Sequence, residues 1–440
     1  MQVTATSTGT VPPSFIGLSY EKDALNESQF TASNADLIAL FQLLGKGVLR
    51  VGGGTVDKTI WSPDMAGIGP YGYITPLSVS NLAAFLQATG WKCIYGINFA
   101  GSTPAATTPA LAASEAAYVA ATLGSSLLGI EIGNATDQYG APGGYFAGDW
   151  SLPQFVTRWQ SFVASIVQAT PGIPIVGPSS SASTASIWAV PFGQAVTSQV
   201  SLLTEQYFRG NGADATATAE YLVSPDTQLT GYLSTIQTAS QQLGIPYRLA
   251  GCNSFYSGGA PGVSNSYASS LWVLDFLFSA AVNGSTGINM HGGGQISYTP
   301  IDDSGGTVTA AAPEYYGLLL FTLAGMGTVL QTKLSAGSLN ATAYAVKTAS
   351  GLSLILVNKD STQNLEITVS AGQTIQTATL LAMAAPQSSG LAATSGVTIQ
   401  GATVTTDGTF APGTAYNLAI SGTTATCYVP ALGAVLINIT

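Results

Sequence analysis

The sequence predicts a (β/α)8 barrel, an α/β fold, with a discontinuous β-sandwich attached. Three observations carry this. Between residues 15 and 326, eight short apolar runs alternate with helix-length segments. The runs are nearly continuous in apolar character, as strands buried on both faces are. Beyond residue 327 the helical period stops, and short strands recur between Gly, Ser, Thr and Asn turns, the pattern of a sandwich.

The runs are FIGLSYE (15–21), GVLRVGGG (47–54), KCIYGINFA (92–100), LLGIEIGN (127–134), IPIVGPSS (173–180), SLLTEQYF (201–208), YRLAGCNSF (247–255) and TGINMHGG (286–293). Helical segments are expected at 34–44, 79–88, 109–123, 153–169, 227–243, 264–282 and 313–324, with a weaker one at 184–194. Eight strands each followed by a helix close into a barrel. An open doubly wound sheet seldom repeats the unit eight times. The N-terminal QVTATSTG alternates and precedes the first barrel strand, so it is assigned to the sandwich. The expected units are 15–326 for the barrel, and 1–14 plus 327–440 for the sandwich.

Composition excludes several partners. Only 7% of the 440 residues are charged, Lys and Arg number 11, and the net charge is −10. Such a chain neutralises few phosphates, which argues against nucleic acid and against anionic membrane surfaces. The longest apolar stretch, 271–282, is too short to span a bilayer and contains Asp275. Met1 leads straight into a strand-like segment with no leader pattern. The expectation is a secreted or periplasmic protein whose leader is not in this chain. Cys93, Cys252 and Cys427 form no CxxC, and His291 is the single histidine, so no metal or organic cofactor is implied. The thiols are expected buried and free, with one disulfide plus an odd thiol as the alternative. The sequence is silent on oligomeric state.

Barrel chemistry gathers at the C-terminal ends of the strands. There the chain places Glu21, Arg50, Asn98, Glu131, Asn134, Ala135, Glu205, Gln206, Tyr207, Phe208, Gly251, Asn253, Tyr256 and His291, with Trp61 nearby. Amides, hydroxyls and aromatic rings suit a sugar, whose hydroxyls need paired donors and acceptors and whose faces stack on rings. The expected partner is a small glycoside or another small ligand in the barrel pocket.

Four stretches resemble a known family: IEIGNATD (130–137), RVGGGTVD (50–57), RLAGCNSFYSGGAPGVSNSYASSLWVLDFLF (248–278) and GINMHGGG (287–294). They are similar to glycoside hydrolase family 79, which contains β-glucuronidases and heparanase, and the resemblance runs over essentially the whole chain. It implies a retaining exo-β-glucuronidase-like scaffold, with catalytic glutamates on strands four and seven. It implies that Tyr256 and the Ser297, Tyr298 pair hold the sugar carboxylate, with Ser297 standing where the family has Gly. It implies that Asn134 bonds the 2-hydroxyl. Asn98, Glu21, Tyr207 and His291 are further candidates for the sugar.

The departures fall on the chemistry. The family motif Gly-Asn-Glu-Pro stands here as Gly133, Asn134, Ala135, Thr136. The nucleophile position, shortly before Asn-Ser-Phe-Tyr, is Gly251, to within two residues of register. A retaining glycosidase needs two carboxyl groups about 5–5.5 Å apart. Alanine donates no proton and glycine attacks nothing, so ordinary hydrolysis is expected to be nearly abolished. Two such losses in an otherwise family-like chain read as deliberate engineering, with a natural inactive homologue as the alternative. Two other readings stay open. One is a binding-only glucuronide protein. The other is a pocket repurposed for proton abstraction from a small aromatic substrate, with Glu205 as base. Glu131 lies deeper on strand four and is read as structural.

Overall fold

The structure is a computed structural model. It describes residues 1–27, 29–100, 107–146, 148 and 150–440. Eight parallel strands close the barrel: β1 (Gly17–Glu21), β2 (Val48–Gly52), β3 (Lys92–Ile97), β4 (Leu127–Ile132), β5 (Ile175–Ser181), β6 (Leu202–Asn211), β7 (Tyr247–Tyr256) and β8 (Ile288–His291). Each expected run holds one of them. The interior is filled from below by Val48, Ile94, Val176, Leu202 and Ala250, so the barrel is a packed core and not a pore.

The longer helices are α1 (Ala35–Leu43), α2 (Pro76–Thr89), α3 (Pro109–Leu123), α4 (Leu152–Ala169), α5 (Ala189–Ala195), α6 (Thr227–Leu243), α7 (Tyr267–Val282) and α8 (Pro313–Ala324). Local chemistry sets their ends. Thr75 and Ser78 form a reciprocal capping box at α2, and left-handed Gly90 stops it. Asp226 accepts from the Leu229 amide to start α6, and left-handed Gly244 ends it. Apolar spacing of three and four buries Phe155, Trp159, Phe162, Val163 and Ile166 along one side of α4. The weak expectation at 184–194 is met by a 3-10 turn, Ala182–Thr184, and the short α5.

The second unit is an 11-stranded arrangement in which Gln2–Val11 pairs antiparallel with Gly327–Lys333. Register shifts at Val3, Ser7 and Gly9 bend that strand, and its first residue also pairs parallel with Ser370. It therefore turns the corner between the two layers, whose inner faces bury Val3, Leu354, Leu356, Ile367, Val435 and Ile437. α7 is covered by this unit. Phe278 stacks on Tyr344 at 4.3 Å, and the Tyr267 hydroxyl donates to Met383 O at 3.0 Å. That cover explains why a helix as apolar as α7 is buried nearly all round.

Two additions were not legible beforehand. Ile60–Trp61 pairs with Tyr73–Ile74 in the loop after β2, and Ile301–Ser304 pairs with Thr307–Ala311 after β8. Both belong to βα-loops, the side on which barrels build sites. All three cysteines are buried and free. No helix among the described residues is long and apolar enough to cross a membrane.

Candidate active site

Strand alternation decides which side chains meet. On β2, Val48 and Arg50 share the inward face. Arg50 is 1% exposed and tied in four directions. Its Nε donates to Glu131 Oε2 at 2.6 Å. Its Nη2 donates to Asn134 Oδ1 at 2.8 Å and to Ser179 Oγ at 2.9 Å. Its Nη1 reaches Ser19 Oγ at 3.3 Å. Gln206 Nε2 closes the cage, donating to the same Asn134 Oδ1 at 2.8 Å and to Ser179 Oγ at 2.9 Å. Ser179 is the extra residue where the β5–β6 register slips between Pro178 and Ser180.

A second chain leaves the cage through Ser19. Its Oγ lies 3.0 Å from His291 Nδ1, and His291 Nε2 lies 3.2 Å from Glu21 Oε1. Proton accounting assigns the directions. A guanidinium only donates, so Ser19 Oγ accepts from Arg50. Against a carboxylate, which only accepts, His291 Nε2 is the donor. Glu21 also accepts from the backbone N–H of Gly54 at 3.0 Å and of Thr55 at 2.6 Å. Burial alone would raise its carboxyl, but the His291 bond and charge and the Thr55 bonds outweigh it and pull the pKa down to about 2.

Gly251 borders this cage, and Ala135 follows one of its members, Asn134. A Cβ built on Gly251 would lie 3.2 Å from Arg50 Nη1 and 3.5 Å from Gln206 Cγ. The register there shifts between Leu249 and Gly251, so Gly251 pairs with Gln206 and shares its inward face. Ala135 follows Asn134 where the chain leaves β4, half-buried and left-handed with φ +51°. Thr136 is buried and donates to Pro178 O at 2.9 Å.

The pocket mouth is aromatic. The Phe208 ring lies 6.0 Å from Tyr298 and 6.5 Å, edge-on, from Tyr256, and His291 lies 5.9 Å from Tyr298. The Ser297 amide is already used, donating to Gly258 O at 3.0 Å. The Tyr298 amide makes no backbone hydrogen bond among the described residues, so it, rather than Ser297, is the spare donor of the pair. Burial and the nearby Glu21 charge push the Tyr298 hydroxyl up, so it stays protonated and able to donate.

Four expectations move. Glu205 alternates to the face opposite Gln206, is 0% exposed, and accepts from Ser180 Oγ at 3.2 and 3.3 Å. Burial first, then the charges of Asp137 and Glu131, raise its pKa well above the carboxylate range. A protonated acid in the strand–helix layer does not reach the pocket, so it is not a base there. Tyr207 likewise points outward, stacking on Phe276 at 5.6 Å and bonding to Asp226. Asn98 is buried and donates to Thr59 O at 2.8 Å, a loop anchor. Trp61 packs on Tyr118 and donates to Ser114, toward α3. The positions brought together are Glu21, Asn134, Ala135, Gly251, Tyr256, Tyr298 and His291. Sequence reasoning missed Ser179, gave Ser19 no role, and named Gln206 and Phe208 only as strand-end residues. The period of two along β6 points to Gln206 and Phe208 once the inward face is known.

No family model matches the chain. A β-glucuronidase of Aspergillus niger is 29% identical over 324 residues, 65% of this chain and 58% of that protein. Over this stretch the chain is similar to a glucuronidase. The chain spans 58% of the length of the curated relative it matches. Among solved structures, a 4-O-α-L-rhamnosyl-β-D-glucuronidase from Fusarium oxysporum superposes with TM-score 0.77 at 19% identity, covering 100% of both chains. A family 51 α-L-arabinofuranosidase from Thermotoga petrophila gives 0.72 at 13% identity, over 100% of this chain and 99% of that one. At such identities the likeness is one of fold, and it covers the barrel and the sandwich together.

The cage offers amide and hydroxyl groups, and the carboxylates around it are already engaged. Glu131 is committed to Arg50, Glu205 faces away, and Glu21 is held ionised by three N–H donors. Among the described residues, no cluster of three or more His, Cys, Asp or Glu forms a metal site.

Proposed function

We propose that this chain binds a β-glucuronide-like sugar in the barrel mouth and hydrolyses it only at a residual rate. One observation carries the reading: the Arg50–Asn134–Gln206 cage is intact while Ala135 and Gly251 stand where carboxyl groups would flank a scissile bond. Without general acid catalysis the loss is roughly 10²–10⁴-fold. Without a nucleophile the covalent route is closed altogether.

In the bound state Asn134 and Gln206 serve the ring hydroxyls, and the Tyr298 amide and the Tyr256 and Tyr298 hydroxyls serve the carboxylate. Hydroxyl and amide donors suit an anionic oxygen that stays partly solvated at the mouth. The Glu21 charge is spread over two backbone amides and His291, which lessens its repulsion of a sugar acid. Phe208 supplies the apolar wall for a ring face.

The reading is tested by calorimetric titration with glucuronic acid and glucose. Preference for the acid, lost in Tyr256→Phe with Tyr298→Phe, supports it. Equal affinity for both sugars, or none for either, refutes it.

A further inference from the structure

A second cavity lies where the sandwich meets the outer side of β6, α6 and α7. Its volume is about 610 Å³, inside the roughly 300–1,000 Å³ range of small-molecule sites, which favour domain boundaries. On one wall Trp272 lies on Phe276 at 5.1 Å and 16°. Opposite, the sandwich contributes Tyr344, Thr342, Asn340 and Lys359.

The charges at this site cancel one another. Asp275 accepts from Tyr344 at 2.8 Å, from Thr342 at 2.5 Å and from Lys359. Arg209 lies 3.7 Å from Asp226, donates to Ser224 Oγ at 2.8 Å, and stacks 4.6 Å from the Tyr221 ring. Two cations and two anions on one cavity leave no net charge for an ionic ligand to neutralise. An anion reaching Arg209 or Lys359 would have to displace an internal carboxylate.

Neutral donors and acceptors remain. The hydroxyls of Thr227, Ser279 and Ser338 line the cavity and make no hydrogen bond among the described residues. The Trp272 indole N–H also has no acceptor, and it is not sealed from solvent, since it is not among the buried unpartnered atoms. An apolar ring wall facing unclaimed hydroxyls is the complement of a sugar chain, which offers C–H faces on one side and hydroxyls around its edge.

We propose that this inter-domain cavity is a second carbohydrate site, taking a neutral oligosaccharide of two or three units. It is independent of the barrel pocket and of any chemistry there. In a chain whose barrel lacks its catalytic carboxylates, such a site gives a second hold on a carbohydrate, and two modest affinities joined on one rigid body yield avidity.

The test uses the whole chain and three uncharged probes, maltotriose, cellotriose and xylotriose, titrated to about 10 mM, where even a site with Kd near 1 mM is filled. Thr227 and Ser338 are exposed on opposite walls, so Thr227→Trp and Ser338→Trp block the cavity without touching the core. Each protein is first checked for an unchanged thermal transition, and binding is read by calorimetry. The expected result is binding of at least one trisaccharide, weakened tenfold or more by either blocking variant and unchanged in Tyr256→Ala. Binding that survives both blocking variants, binding lost in Tyr256→Ala, or no binding of any probe overturns the proposal.

Discussion

Replacing Gly251 by glutamate tests the central geometric claim one residue at a time. The new Cβ would lie 3.2 Å from Arg50 Nη1 and 3.5 Å from Gln206 Cγ, so its carboxylate arrives beside a guanidinium nitrogen whose acceptor is Ser19 Oγ at 3.3 Å. A hydrogen bond to a charged partner contributes about 1.5–3 kcal/mol, enough to hold the carboxylate ionised in a buried place. With 4-nitrophenyl β-glucuronide the leaving group departs without a proton. Gly251→Glu alone is therefore expected to release one equivalent of nitrophenol in a burst and then stall as a glycosyl-enzyme, because no base at Ala135 activates water. Adding Ala135→Glu restores proton transfer worth about 10²–10⁴-fold, which is about 3–5 kcal/mol of barrier. Rapid quench gives the burst, and intact-protein mass gives the adduct. A folded Gly251→Glu protein with neither burst nor adduct, beside a Cys252→Glu protein that shows both, would refute the assignment.

Other perturbations follow from the same geometry. Glu131→Gln leaves the buried Arg50 charge without its carboxylate, a loss of about 3–5 kcal/mol. At about 2.1 cal/mol/K per residue the 440-residue chain should lose roughly 3–5 °C in Tm, and an unchanged Tm would contradict the buried pair. Glu205 and Glu314 are raised well above the carboxylate range by burial, and Asp302 to about 6 by burial and then by Asp303. The unfolded chain sheds these protons first as pH rises above the ordinary carboxylate value, so stability falls with rising pH in that window. Tm should be higher at mildly acidic than at neutral pH, with a shallower slope in Glu205→Gln; a Tm that rises toward neutrality in both proteins would show that these acids are ionised. Phe208→Ala removes the aromatic wall and should weaken aryl glucuronide binding by roughly 2- to 13-fold, the equivalent of about 0.5–1.5 kcal/mol. Unchanged affinity by calorimetry would place the ligand elsewhere.

The barrel was readable because its strands are buried on both faces, so their apolar runs stand out from amphipathic helices such as α4. The pairing of QVTATSTG with Gly327–Lys333 could only be anticipated from alternation, since the partner lies more than 300 residues away. Sequence reading placed Asn134, Ala135, Gly251 and Tyr256, which lie in β7 or just past the end of β4. It failed where only proximity to a strand end was used. Glu205 and Tyr207 are neighbours of Gln206, yet a period of two sends them to the helix layer. Asn98 serves a loop carbonyl, a role that composition does not distinguish from sugar binding. Ser179 was invisible because a one-residue slip in register, and not the pattern of β5, turns its hydroxyl inward.

The most direct test is calorimetric titration of the unaltered chain with an aryl β-glucuronide, with release of the aryl alcohol followed in the same samples, with and without azide. Saturable binding with no release, or with release only when azide supplies the missing nucleophile, is the predicted result. Turnover without azide that matches a competent glycosidase, or no binding at all, would contradict the reading of an intact sugar cage without its carboxyl groups.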